Sequence, residues 1–191
     1  MKKTLFLLAL ITSILTSTAQ QNQDASVENS TSGIQTGLLG IWAHSEYKLS
    51  NSIALRAELG FDAGAFGDNF NDGSFFILVP VITLEPRWYY NLNKRVSKSR
   101  RIDGNSGNFI SIKTSYHPDL IIGDIPNNTN FISDLSIVPT WGIRRNIGKH
   151  FNYETGIGLG YIHFFKEKNV YIKYNNNMLA LNLHLRIGYK F

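Results

Sequence analysis

The last thirteen residues of the chain alternate with a period of two. Leu179, Leu181, Leu183, Leu185, Ile187, Tyr189 and Phe191 take the odd positions, and Ala180, Asn182, His184, Arg186, Gly188 and Lys190 the even ones. Successive side chains of a strand point to opposite faces, so this run is a strand with one wholly apolar face and one polar face. At about 3.3 Å per residue it reaches roughly 40 Å, well beyond the five or six residues of an ordinary strand.

The same period recurs upstream. From Ile53, the residues Ile53, Leu55, Ala57, Leu59, Phe61, Ala63 and Ala65 face away from Ala54, Arg56, Glu58, Gly60, Asp62 and Gly64. Over 109–117, Ile110, Ile112, Thr114 and Tyr116 oppose Ser111, Lys113, Ser115 and His117. Over 132–145, Leu135, Ile137, Trp141 and Ile143 oppose Asp134, Ser136, Thr140 and Arg144. Over 153–165, Tyr153, Ile157, Leu159, Tyr161 and Phe165 oppose Glu154, Gly156, Gly158 and Gly160. Residues 75–91 are apolar on both faces at first, then sort Leu84 and Trp88 from Glu85 and Arg87. Residues 33–48 are the least regular. These segments make seven strands, separated by turn-rich stretches at 49–52, 67–74, 92–108, 118–130, 146–150 and 166–177.

The N-terminus reads as an export signal. Lys2 and Lys3 precede the apolar run 5–15, and Ser17 and Ala19 stand where small residues precede cleavage. Cleavage after Ala19 leaves residues 20–191 as one domain. A short N-terminal membrane helix is the alternative, but no stop-transfer flank follows. The chain has no cysteine, which excludes disulfides, thiol chemistry, cysteine metal sites and an acylated N-terminal Cys. The net charge of +5, less Lys2 and Lys3, is too mild to indicate a nucleic-acid partner.

Strands of this kind suit a soluble barrel with its apolar face inward, or a membrane barrel with that face outward. Three features favour the second. The strands are long enough to cross a bilayer with tilt. Aromatic residues gather near strand ends, as in Trp88, Tyr89 and Tyr90, or Tyr161, Phe164 and Phe165. The polar faces carry full charges, namely Arg56, Glu58, Asp62, Glu85, Arg87, Lys113, Asp134, Arg144, Glu154, Arg186 and Lys190. The expected fold is therefore an all-β, closed, antiparallel up-and-down transmembrane barrel. Bacterial single-chain barrels have even strand numbers, so eight strands are expected. The eighth is sought in residues 22–32 or in 170–174.

The C-terminal strand, ending Leu-His-Leu-Arg-Ile-Gly-Tyr-Lys-Phe, resembles the assembly signal of Gram-negative outer-membrane proteins. Leu183, Leu185, Ile187, Tyr189 and Phe191 carry that likeness. Residues 82–95, reading ITLEPRWYYNLNKR, resemble a segment recurrent in small outer-membrane barrels of Bacteroidota, similar in class to OmpA/OmpX-like barrels. The resemblance implies outer-membrane location, contact with outer-membrane lipids and recognition by the barrel-assembly machinery. It implies a C-terminus in the periplasm, so that 67–74, 118–130 and 166–177 face outside. It brings no catalytic residue and no cofactor.

Three groups of residues are candidates for chemistry. The charged set Arg56, Glu58, Asp62, Glu85, Arg87, Lys113, Asp134, Arg144, Glu154 and Arg186 is expected to pair across a narrow lumen, because an unpaired charge there is costly. The alternative is that it lines an ion path. The basic run Lys94, Arg95, Lys98, Arg100 and Arg101 is a solvated loop or a contact for anionic groups. The histidines His44, His117, His150, His163 and His184 form no triad or metal spacing, and His44-Ser45-Glu46 puts neighbours on opposite faces. No metal site is expected, apart from the bare chance of a calcium loop at 67–74. Gly156, Gly158 and Gly160 share a face and relieve crowding. Pro80 and Pro139 stand mid-strand, where each removes a ladder hydrogen bond, so bulges are expected at both. The expected role is non-enzymatic, structural or in surface binding through the external loops. A narrow pore is the first alternative and a lipid-modifying enzyme the second.

Overall fold

The computed structural model describes residues 25–66, 75–123, 132–165 and 176–191. The expected leader 1–19, the loop 67–74 and the strand candidate 170–174 lie outside them, as does most of 118–130. Among the described residues nine strands form in chain order: β1 (Ser30–Gly37), β2 (Gly40–Lys48), β3 (Ile53–Phe66), β4 (Phe75–Trp88), β5 (Asn108–His117), β6 (Ile122–Gly123), β7 (Asp134–Ile147), β8 (Phe151–Phe164) and β9 (Asn177–Lys190). Each long strand pairs antiparallel with its chain neighbours. The pairing of β9 with β1 closes the ring. The two-residue β6 only prolongs the β5 side of β4, so the barrel has eight staves.

The eighth strand arises from the split of 33–48, and β1 takes in only 30–32 of the candidate 22–32. The irregular stretch 33–48 is a hairpin, β1 and β2, turning at Leu38 and Leu39. Read as one strand, its alternation breaks at that turn. Read as two, Ile41, Ala43 and Tyr47 face out while Trp42, His44 and Glu46 face in. Gly40 closes the turn with φ of 148°, and a Cβ there would collide with the Phe61 carbonyl.

Following paired residues once round the barrel from Lys190, through Gly33, His44, Glu58, Thr83, Ser115, Ser136 and Ile162, returns to Met178 on the same strand. This stagger of twelve residues requires strongly tilted strands, since stagger and tilt are linked in a closed barrel.

The prolines behave differently from each other. At Pro80 the expected distortion occurs on the partner side. Ile82 pairs with Tyr116 and Leu78 with Ile122, so four steps along β4 are matched by six on the β5–β6 side. At Pro139 no bulge forms. Pairing with β8 skips Val138 and Pro139 and resumes in the same register, from Ile137 with Tyr161 to Thr140 with Gly158. Glycines opposite absorb the disturbance: a Cβ at Gly158 would meet the Pro139 carbonyl, and one at Gly160 the Ile137 carbonyl.

The faces of the wall are inverted relative to a water-soluble barrel. Outward-facing Leu59, Ile82, Leu84, Ile112, Ile157 and Leu181 are each more than half exposed, whereas inward-facing Glu46, Arg56 and Glu154 are fully buried. Outward aromatic residues cluster at the end that carries the C-terminus, the lower end: Tyr47, Trp88, Tyr90, Phe151, Tyr153, Tyr189 and Phe191. Tyr116, Tyr161 and Phe165 stand towards the upper end.

The stretch 92–108, expected as an open loop, is folded. It contains a short helix, α1 (Leu92–Val96), and a single 3-10 turn at Asp103–Asn105. With residues 25–29 it floors the barrel. Val27, Ala54, Tyr89, Leu92 and Phe109 make a small apolar core there, with Ala25 and Ile102 packed against it. The Glu28 amide donates to Asn105 Oδ1 at 2.8 Å, and the Ala25 amide to Asn93 Oδ1 at 3.1 Å. A long segment at this end is tolerated because it buries its own apolar side chains instead of looping into solvent.

Candidate functional site in the barrel lumen

Two triples of alternating charge arise directly from strand pairing. Glu46, Arg56 and Glu85 are consecutive cross-strand neighbours on β2, β3 and β4. Arg144, Glu154 and Arg186 are consecutive on β7, β8 and β9. The first triple is net negative and the second net positive, so the two walls attract across the lumen. Opposite charges on directly opposed residues also favour each pairing locally.

Glu58 and Arg87 complete the set, which then holds four arginines and four glutamates. Arg87 forks onto Glu154, with Nη1 and Nη2 each 2.8 Å from a carboxylate oxygen, and also donates to Glu85 at 2.8 Å. Such bidentate pairs are the strongest of their kind. Arg186 Nη1 donates to both oxygens of Glu58, at 2.9 and 3.1 Å. Arg56 binds Glu58 through Nε, Glu46 through Nη1 at 3.0 Å, and Gln35 Oε1 through Nη2 at 2.6 Å. Arg144 Nη1 donates to Glu46, and its Nε lies 3.2 Å from Glu154 Oε2. The Arg87 guanidinium also stacks 4.2 Å above the Phe109 ring.

Glu46 is the hub of this network, and the sequence reading missed it. Its carboxylate accepts from Arg56, Arg87 and Arg144, from the Tyr89 hydroxyl at 3.0 Å and from Asn105 Nδ2 at 2.8 Å. Asn105 belongs to the floor segment and Tyr89 to the apolar core packed against it, so the floor is tied to the ionic network from below. The signal for Glu46 was the alternation of residues 41–47, hidden by treating 33–48 as one strand.

Asp62, Lys113 and Asp134 do not join this network. Asp62 and Asp134 stand higher, around His117, whereas Lys113, expected to pair, makes no ion pair among the described residues. The His117 ring bridges two carboxylates, with Nδ1 2.9 Å from Asp134 and Nε2 3.1 Å from Asp62. Asp62 also accepts from Trp42 Nε1 at 2.7 Å. Arg186 lies 3.9 Å over the Trp42 ring, so Trp42 separates the two levels. Among the described residues, no group of three or more His, Asp or Glu side chains is placed to hold a metal ion.

The basic run splits into two parts. Arg95 turns inward and donates through Nε and Nη2 to the Arg101 carbonyl, at 3.0 and 2.7 Å. Burial, with Arg100 nearby, lowers its affinity for the proton. Arg101 forks onto Asp103 at 2.8 and 2.6 Å and reaches the Gly148 carbonyl at 2.7 Å. This pairing, with a hydrogen bond from Asn146, holds the Asp103 carboxyl below its usual range. Both arginines therefore brace the floor. Lys94, Lys98 and Arg100 instead line a cleft of about 470 Å³ with Arg95, Tyr90, Asn91, Asn108 and Arg145. Among the described residues, no acidic one lines this cleft. Arg145 belongs to β7, so chain proximity alone did not reveal it.

Leu183, Leu185, Ile187, Tyr189 and Phe191 all stand on the outer face of β9, with Phe191 73% exposed. The Phe191 amide donates to the Ser32 carbonyl at 3.1 Å, just where β9 meets β1. No known protein family, curated protein or solved structure matches the chain.

Proposed function

We propose that this chain is a small outer-membrane barrel whose lower lumen is closed by its own charges, and that its role is structural or in surface binding instead of catalysis or bulk transport. The observation that carries this reading is the inverted wall: apolar residues ring the outside while four arginines and four glutamates are buried within. Lipid is the solvent that makes such a surface favourable. The leader-like N-terminus and the C-terminal Phe191 strand support export and assembly by the barrel machinery.

The closed lumen follows from pairing. Each charge of the lower network has opposite charges within 3.5 Å. An ion crossing this level would have to break pairs already desolvated. An eight-stranded barrel has room for side chains or one small ligand, not for a wide channel. At the lower rim, the cleft of Lys94, Lys98, Arg100 and Arg145 beside Tyr90 suits anionic lipid headgroups. Binding to other partners falls to the upper end.

The test is conductance across a planar bilayer, using refolded protein whose folding is confirmed by the gel shift between unheated and boiled samples. Folded protein is expected to be silent. Discrete, reproducible steps would overturn the closed lumen and favour a narrow pore.

A further inference from the structure

Above the ionic level the lumen is neither filled nor uniformly polar. A cavity of about 360 Å³ lies there, lined by Val138, Ile162 and Met178 and by the polar Asp62, Lys113, Ser115, His117, Ser136 and Asn182. Its wall also includes the stretch 178–182 of β9 and Asp62 of β3. The strands that border it here, β9 and β3, are not neighbours in the sheet, so the wall between them depends on β1 and β2.

Strand lengths leave that wall incomplete. β1 and β2 have 8 and 9 residues, whereas β3 and β9 have 14. β1 follows β9 only as far as Gly37 opposite Arg186, and β2 follows β3 only as far as Gly40 opposite Asp62. Beyond these pairs, among the described residues, nothing pairs with 177–185 on that side of β9. The notch between β9 and β3 spans three strand spacings, roughly 14 Å.

The turn at the foot of the notch is Leu38-Leu39, 87% and 60% exposed. Turns that meet water favour Gly, Asn and Asp. Two exposed leucines at a hairpin tip are favourable where the tip ends in hydrocarbon. The surrounding outer surface agrees, since Ile41, Leu59 and Leu183 are all outward and exposed. The notch therefore joins the lipid-facing surface to an apolar patch inside the lumen.

We infer that this notch seats one acyl chain of a surrounding membrane lipid, lying above the Leu38–Leu39 tip with its end against Val138, Ile162 and Met178. The inference rests on the membrane reading above. Water in the notch would leave the leucines of the tip and the inner apolar patch wetted. A lipid chain covers both together.

The experiment uses the full mature chain in dioleoylphosphatidylcholine vesicles, with the photoreactive residue p-benzoylphenylalanine at one position per variant. Ile162 reports the inner patch, Met178 is a second inner position should the first variant fail the gel-shift test, and Leu183 reports the outer face. After irradiation, intact mass identifies the adduct. Lipid adducts at Ile162 or Met178 within about threefold of the Leu183 yield are expected. Adding Ala180→Trp, which fills the cavity, is expected to lower the inner yield at least fivefold and leave Leu183 unchanged. If Leu183 captures lipid while both inner positions capture only protein or nothing, the inference is overturned and the membrane reading stands. Covalent dimers from the inner positions overturn it in favour of a second copy pairing on β9. If Leu183 captures no lipid, the membrane reading itself falls.

Discussion

The lower and upper halves of one lumen are built from the same eight strands in opposite ways. Below Trp42, every cross-section is crowded with long charged side chains, each held by several partners. Above it, short or apolar side chains leave a cavity and the wall is notched. The contrast shows that a barrel's bore is not set by strand number alone. The length of the inward side chains and the reach of each hairpin decide which part is packed and which part is open.

The largest effect should come from the hub. Glu46→Gln leaves three guanidiniums with one anion fewer, and breaking a buried pair costs about 3–5 kcal/mol. Urea unfolding of the vesicle-inserted barrel measures this. The comparison breaks if Ser136→Ala, in the upper cavity, costs as much, since a substitution there should stay within about 0.5 kcal/mol.

Neighbouring residues on β9 sharpen the contrast between faces. Leu183→Arg places a charge on the outer wall and should cost roughly 2–4 kcal/mol at mid-depth. Asn182→Arg points into the roomy upper lumen and should cost no more than the lost hydrogen bond to Thr140, about 0.5–1.5 kcal/mol. Equal losses in unfolding free energy would refute the assignment of faces.

The tie between floor and network is next. Tyr89→Phe removes one donor to Glu46, and hydrogen bonds to charged groups contribute about 1.5–3 kcal/mol. The same unfolding measurement should show the loss, with little change at the upper end in hydrogen exchange.

The smallest effect concerns pH. Asp103 has a lowered pKa in the folded chain, so its contribution is present above the unfolded carboxyl value of about 3.9 and disappears as pH falls through the folded one. Amide exchange of Asn105 and Ser106 should accelerate across that window. Asp103→Asn should remove the pH dependence; if it persists unchanged, another group is responsible. Because Arg101 and Asp103 are largely exposed, solvent screening keeps the effect small.

Much of the architecture was legible because strand periodicity is a local property. The runs 53–65, 109–117 and 179–191 declare their faces residue by residue, and the even strand count follows from closure. The hairpin of β1 and β2 was hidden because its turn carries leucines where Gly, Asn or Asp was expected. The floor has the composition of a loop, with few apolar residues and many basic ones. Arg145 is not legible as a cleft member because it reaches the cleft from a distant strand, and Glu46 is hidden with the alternation of the β1–β2 hairpin.

The sequence alone determined which side chains share a face, since alternation along a strand needs no knowledge of its neighbours. Only the closed barrel decided which charges meet. Partners such as Arg87 and Glu154 are set by how far each strand slides against the next, accumulated over eight pairings into a twelve-residue stagger. That sum is a property of the whole ring, and no single segment encodes it.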